Sequence, residues 1–125
     1  MDDPGMFDTF RQATKNAITV RIADISTAET LYVMLPKCTL KKISTVLSGT
    51  IATANATITA SRNTTGITDG VVTIGHSGSA AGDIDSCSPT ANHVFDGSSH
   101  YLKLVGGAES DNAVPVLITI EYYPN

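Results

Sequence analysis

The sequence predicts an all-β fold: a single-domain antiparallel β-sandwich, jelly-roll-like, preceded by a non-sheet N-terminal arm. Three observations predict it. Stretches rich in Val, Ile, Thr and Ala recur down the chain, closed by Gly, Asn, Asp or Ser, at the roughly ten-residue spacing of sandwiches and barrels. The last stretch alternates cleanly, with Val114, Val116, Ile118, Ile120 and Tyr122 on one face and Thr119 and Glu121 on the other. That period of two belongs to a half-buried strand. Finally, 125 residues make one domain, able to bury roughly two thirds of its unfolded surface and so to build a core without staples.

The elements follow in order. Residues 1–16 form the arm and residues 17–125 the sandwich domain. In the arm, Met6, Phe7 and Phe10 cluster within the span of one helical turn, and Asp8 is placed to cap a short helix through Arg11 and Gln12. The segment is either a short helix or an extended arm that docks its two Phe side chains on a neighbour, or else a disordered end. Residues 17–25 alternate, with Ile18, Val20 and Ile22 opposite Thr19 and Arg21. Residues 31–35 are apolar on both faces, Tyr32 and Met34 against Leu31, Val33 and Leu35; such a strand is buried twice over or meets a partner. Pro36 stops it. Leu40, Ile43 and Val46 recur every three residues, a helical spacing, but the β-branched content and the following Ser48-Gly49 favour strand. Asn63-Thr64-Thr65-Gly66 reads as a hairpin loop and Thr68-Asp69-Gly70 as a second turn before a strand over 71–74. Residues 75–89 form a long loop with a short strand near Ile84. Strands over 93–95 and 101–105 flank Asp96-Gly97-Ser98, and residues 106–112 form the final loop.

Composition narrows the function. Net charge is −4 and the pI about 5.1, which disfavours a free nucleic-acid binder. Charged residues are only 16% of the chain and Ser with Thr exceed a fifth, a polar, weakly charged surface suited to contacts with other subunits. No apolar run is long enough to span a membrane, and Met1-Asp2-Asp3-Pro4-Gly5 lacks an apolar signal core, so synthesis in a cytoplasm is expected. Cys38 and Cys87 do not make a disulfide framework. They are expected reduced, as buried small hydrophobes, with a single disulfide as the alternative. The sequons at Asn55 and Asn63 need a secretory route that nothing here signals.

Candidate chemistry is sparse. Gly75-His76-Ser77-Gly78-Ser79 resembles a nucleophile elbow, but Ser79 stands where the tight turn needs Gly, and no amphipathic helix follows. Asp83 and Asp85 share one face of an extended segment and would need other oxygens to hold a cation; a solvated loop with one buried Ile is the plainer reading. His76, His93 and His100, with Asp96, lack a recognised zinc spacing. Lys37, Lys41 and Lys42 form a basic cluster, read as a solvated strand edge that discourages aggregation. The expectation is therefore no enzyme, no cofactor and no metal.

From Leu31 onward the chain resembles the small head-decoration, or capsid cement, proteins of tailed bacteriophages. The resembling residues run Leu31-Tyr32-Val33, Pro36, Leu40-Lys41-Lys42-Ile43, Val46-Leu47-Ser48-Gly49, Ala54-Asn55-Ala56-Thr57-Ile58-Thr59, Gly66-Ile67-Thr68-Asp69-Gly70 and Val72-Thr73-Ile74. The most distinctive part, Ser77-Gly78-Ser79-Ala80-Ala81-Gly82-Asp83-Ile84-Asp85-Ser86, then precedes Pro89-Thr90 and Val114-Pro115-Val116. The resemblance spans roughly three quarters of the chain and leaves out the arm, Cys38 and Cys87. It implies a sandwich or jelly-roll subunit, commonly trimeric, on the outside of an icosahedral head made in the host bacterial cytoplasm. The implied partners are the major capsid protein and other copies of this chain, without nucleic acid, membrane, cofactor or catalytic residue.

The expected contacts are the arm residues Met6, Phe7 and Phe10 for capsid or neighbour, and Tyr32 and Met34 for a subunit interface. The alternative is a host-glycan-binding fibre-tip or adhesin-like β module whose contacts lie in the loops at 75–89 and 106–112. A third class, a small hydrolase or metal enzyme using Ser77, His76 or Asp83 and Asp85, is the weakest.

Overall fold

The computed structural model of the chain describes residues 15–107 and 112–125. Among the described residues nine strands follow one another: β1 (Asn16–Ile22), β2 (Glu29–Val33), β3 (Cys38–Leu47), β4 (Ala56–Arg62), β5 (Thr65–Ile74), β6 (Ile84–Cys87), β7 (Val94–Phe95), β8 (Leu102–Gly106) and β9 (Val116–Pro124). They build two antiparallel sheets. The first has the order β1-β9-β3-β6, with the short β7 beside β6 on the same edge of β3; the second has the order β2-β8-β4-β5.

The pairing is nested. β4 pairs with β5, β3 with β6, β2 with β8 and β1 with β9. The chain is thus one long antiparallel ribbon wound around the core, which is the logic of a jelly roll. Winding then sets β9 against β3 and β8 against β4.

Alternation positions the core. Val116, Ile118, Ile120 and Tyr122 point inward from β9, as their spacing predicts. They meet Ile58, Ala60, Leu102 and Leu104 of the second sheet in one buried apolar cluster. Fully burying an Ile, Leu or Val side chain contributes roughly 1.5–3 kcal/mol. Phe95 is fully buried and belongs to the same cluster, so β7 earns its place in the fold through one ring.

β3 is a strand throughout, as its β-branched content favours; the three-residue spacing of Leu40 and Ile43 has a β origin, while Val46 faces outward. The register between β3 and β9 shifts between Leu40 and Lys42, so Lys41 is the extra residue of a bulge. A bulge inserts one residue into one strand, which is why Leu40 and Ile43 are both buried although three apart. The expected turn at Thr68-Asp69-Gly70 instead lies inside β5. The pairing jumps from Thr59↔Val71 to Ser61↔Gly66, and Thr68 pairs with Ala91 across the detour. Asp69 takes a positive φ of 57°, and its carboxylate accepts the Thr90 hydroxyl at 2.6 Å.

Candidate functional site

The chemical groups singled out from the sequence are dispersed, and most have structural duties. Ser77 is exposed. His76 directs Nδ1 at the Asn55 side-chain oxygen, 2.7 Å away, and its backbone N–H donates to the same oxygen at 3.0 Å. Ser79, two residues on, is the buried one. Its Oγ accepts the Ile51 N–H at 3.0 Å and donates to the Ile51 carbonyl at 2.9 Å. The elbow-like stretch is therefore a loop pinned by Ser79.

Asp83 accepts the Ala80 N–H at 2.9 Å and closes a turn. Asp85 sits opposite Thr45 on β3, whose hydroxyl donates to the Asp85 carbonyl. Ile84 between them is not buried, contrary to expectation, but 69% exposed. Its register partner is Val46, whose side chain faces away from the core, so Ile84 faces outward too. Among the described residues no group of three or more His, Cys, Asp and Glu side chains is placed to hold a metal ion.

Asp96 organises the loop before β8. Its carboxylate accepts the Ser98, Ser99 and His100 N–H groups at 2.8–3.0 Å and the Ser99 hydroxyl. The Ser99 hydroxyl bond and the Ser98 and Ser99 amides hold its pKa well below the ordinary carboxylate value. His100 Nδ1 accepts the Asp96 N–H at 3.1 Å, and its ring stands edge-on to Phe95. Gly97, at φ +80°, lies so close to Lys37 that a Cβ would come within 2.7 Å of the Lys37 nitrogen.

Both cysteines are free, Cys38 buried and Cys87 half-buried. Burial pushes the Cys38 thiol up to about 11 and raises that of Cys87. β3 has β9 along one side; on the other, β7 pairs only with Cys38 and Thr39 and β6 only with residues 43–46, so Lys41 and Lys42 stand at the gap between those two short strands. Lys41 occupies the bulge, and Lys42 faces outward opposite Glu121. Glu121 forms an ion pair with Lys15 at 2.9 Å, which raises the Lys15 pKa.

What remains is surface. Tyr32, on the edge strand β2, is 67% exposed, and Met34 just beyond that strand is 57% exposed. Leu31 and Val33, of opposite parity, pack against the core. Tyr32 meets Tyr101 edge to face, with ring centroids 5.5 Å apart. The β2–β8 pairing brings these two rings together from distant parts of the chain. Met6, Phe7 and Phe10 lie outside the described residues. Asn112 donates to the Thr50 carbonyl at 2.7 Å, and Ser79 holds the adjacent Ile51.

No protein-family model matches the chain, and no curated protein matches it in sequence. Among solved structures, one similar chain comes from Bacillus endospore appendages, described as a novel family of disulfide-linked pili. The identity is 15% and the TM-score 0.47, over 90% of this chain and 88% of that one. Another comes from the cyanophage Pam1 capsid asymmetric unit, at 10% identity and a TM-score of 0.44, over 90% of this chain and 84% of that one.

Proposed function

We propose that this chain is a non-enzymatic structural protein of a virion that decorates and cements the outside of a tailed-phage capsid. It would bind the major capsid protein at capsomer junctions as a homotrimer. The observation that carries the reading is the pair Tyr32 and Met34, large apolar side chains exposed on and just beyond β2, the edge strand of the second sheet among the described residues. An unpaired edge with apolar side chains is a template for another subunit. The sequence resemblance to head-decoration proteins names the setting. Cementing needs modest contacts repeated in many copies, and a lightly charged surface suits them. In this reading Tyr32 and Met34 lie between subunits, and the arm residues Met6, Phe7 and Phe10 reach the capsid or a neighbour.

The test is solution mass by light scattering, followed by co-sedimentation with assembled capsids that lack the protein. A trimer that pellets with capsids and ignores unassembled capsid protein supports the proposal. Tyr32→Asp with Met34→Asp should yield a monomer that keeps the folded far-ultraviolet circular dichroism spectrum. A wild-type monomer that ignores capsids overturns it.

One observation favours the glycan-binding alternative. Asn112 and Ser79, one from each long stretch, bond to the neighbouring residues Thr50 and Ile51, so a ligand at that spot would lie near both. A glycan-array signal lost on replacing residues 75–83 would move the assignment there.

A further inference from the structure

The outer face of the first sheet is layered. Register places Arg21, Leu117, Val46 and Ile84 in one row across β1, β9, β3 and β6. Leu117 and Ile84 are exposed and Val46 half-buried, so three apolar side chains run side by side. The next row is Thr19, Thr119, Ser44 and Ser86, all hydroxyls, with Thr19 and Thr119 bonded to each other at 3.2 Å. Beyond it lie Ala17, Glu121 and Lys42. Short side chains thus separate the apolar row from the charged one, and a second segment can lie flat across them.

The charge of this region opposes that of the chain. Lys15, Arg21, Lys41 and Lys42 stand on the sheet or at its rim against Glu121, with Asp83 at the far corner, its carboxylate on the Ala80 N–H. The whole chain carries −4. Residues 1–14 have the complementary character: Asp2, Asp3 and Asp8 against Arg11, together with Met6, Phe7 and Phe10. Opposite charge orients such a contact, and buried aromatic rings supply most of its strength.

We propose that the outer face of the first sheet is the seat for residues 1–14 of a neighbouring copy, with Phe7 and Phe10 over the Leu117, Val46 and Ile84 row and the aspartates beside the basic rim. The proposal rests on the arm reading above and names the receiving surface. A neighbour is the target because of where the chain enters. β1 begins in the register of Glu121 and Tyr122, at the opposite end of the sheet from Leu117. A return over its own sheet would need a reversal at Gln12, Ala13 and Thr14, which include none of the Gly, Pro, Asn or Asp that reversals favour.

The test places a photo-reactive benzophenone side chain at Phe10 in the full-length protein. Isotope-labelled and unlabelled chains are refolded together, irradiated and mapped by mass spectrometry. The expected product joins labelled to unlabelled chains, at residues 44–46 or 117–119. Ile84→Asp with Leu117→Asp should lower its yield about tenfold while the folded circular dichroism spectrum is kept, because both side chains are exposed; added salt should lower it as well. A product confined to single chains, one on the second sheet, or one indifferent to the two substitutions overturns the proposal. A product that forms only with capsid protein overturns the seat and leaves the arm reading standing. Absence of any product in protein that still associates and sediments with capsids overturns both.

Discussion

Replacing Ser79 by Ala removes a single oxygen that serves two backbone groups. The Ser79 hydroxyl satisfies both the N–H and the C=O of Ile51, a residue 1% exposed. Without it, both groups stay buried and unpaired, at about 1–3 kcal/mol each. The smaller desolvation cost of a methyl group offsets part of this, leaving an expected loss of about 2–4 kcal/mol. Against a total stability of about 5–15 kcal/mol, that is a large fraction. For a domain of this length each kcal/mol moves Tm by about 4 °C, so Tm should fall by roughly 8–16 °C. The chain has no tryptophan, so urea unfolding is followed by far-ultraviolet circular dichroism. Ser77→Ala, at an exposed site in the same loop, is the control and should change stability by less than about 0.5 kcal/mol. A Ser79→Ala loss under about 0.5 kcal/mol, or an equal loss for Ser77→Ala, would refute the view that Ser79 anchors this loop.

The remaining predictions follow from single contacts. Gly97→Ala combines a φ of +80° with a 2.7 Å approach to the Lys37 nitrogen and should cost about 1–3 kcal/mol in the same unfolding assay. Asp96 has a folded pKa below its ordinary 3.8, so its contribution to stability is present above 3.8 and is lost as pH falls through the lower folded value. A carboxyl-carbon titration should show that depressed midpoint, and Asp96→Asn should flatten the acid limb of the stability profile. Cys38 has its thiol raised from 9.0 to about 11 by burial, so stability should decline as pH rises from 9.0 towards 11. In the native protein at pH 8 a thiol reagent should label Cys38 far more slowly than in urea; equal rates would contradict its burial.

The parts of the fold written in local alternation were legible from sequence. β9 read correctly residue by residue, because Val116, Ile118, Ile120 and Tyr122 obey a strict period of two and all turn inward. Where the period breaks, local reading faltered. Lys41 shifts the phase of β3 by one residue and imitates a helix. The detour at residues 67–70 of β5 carries turn residues inside a continuous strand and imitates a hairpin end. The site followed the same division. Tyr32 and Met34 stood out because residues 31–35 carry more apolar side chains than one face can bury, and both are exposed. The outer-face row of Leu117, Val46 and Ile84 was invisible, since it joins strands far apart in the chain and exists only through register. Ile84 was misread for the same reason, and Ser79 was passed over because its partner is 28 residues away.

The nested pairing also fixes an order of events. The innermost pair, β4 with β5, closes over a turn at Asn63 and Thr64, whereas the outermost joins residues as distant as Thr19 and Thr119, separated by 100 positions. Such contact order places folding in the millisecond-to-second range rather than the microseconds of helical bundles. β9 lies between β1 and β3, so during translation the first sheet has an empty slot at its centre until β9 leaves the ribosome. A chain released early would present β1 and β3 as unpaired edges lined with β-branched side chains, the form most prone to aggregate.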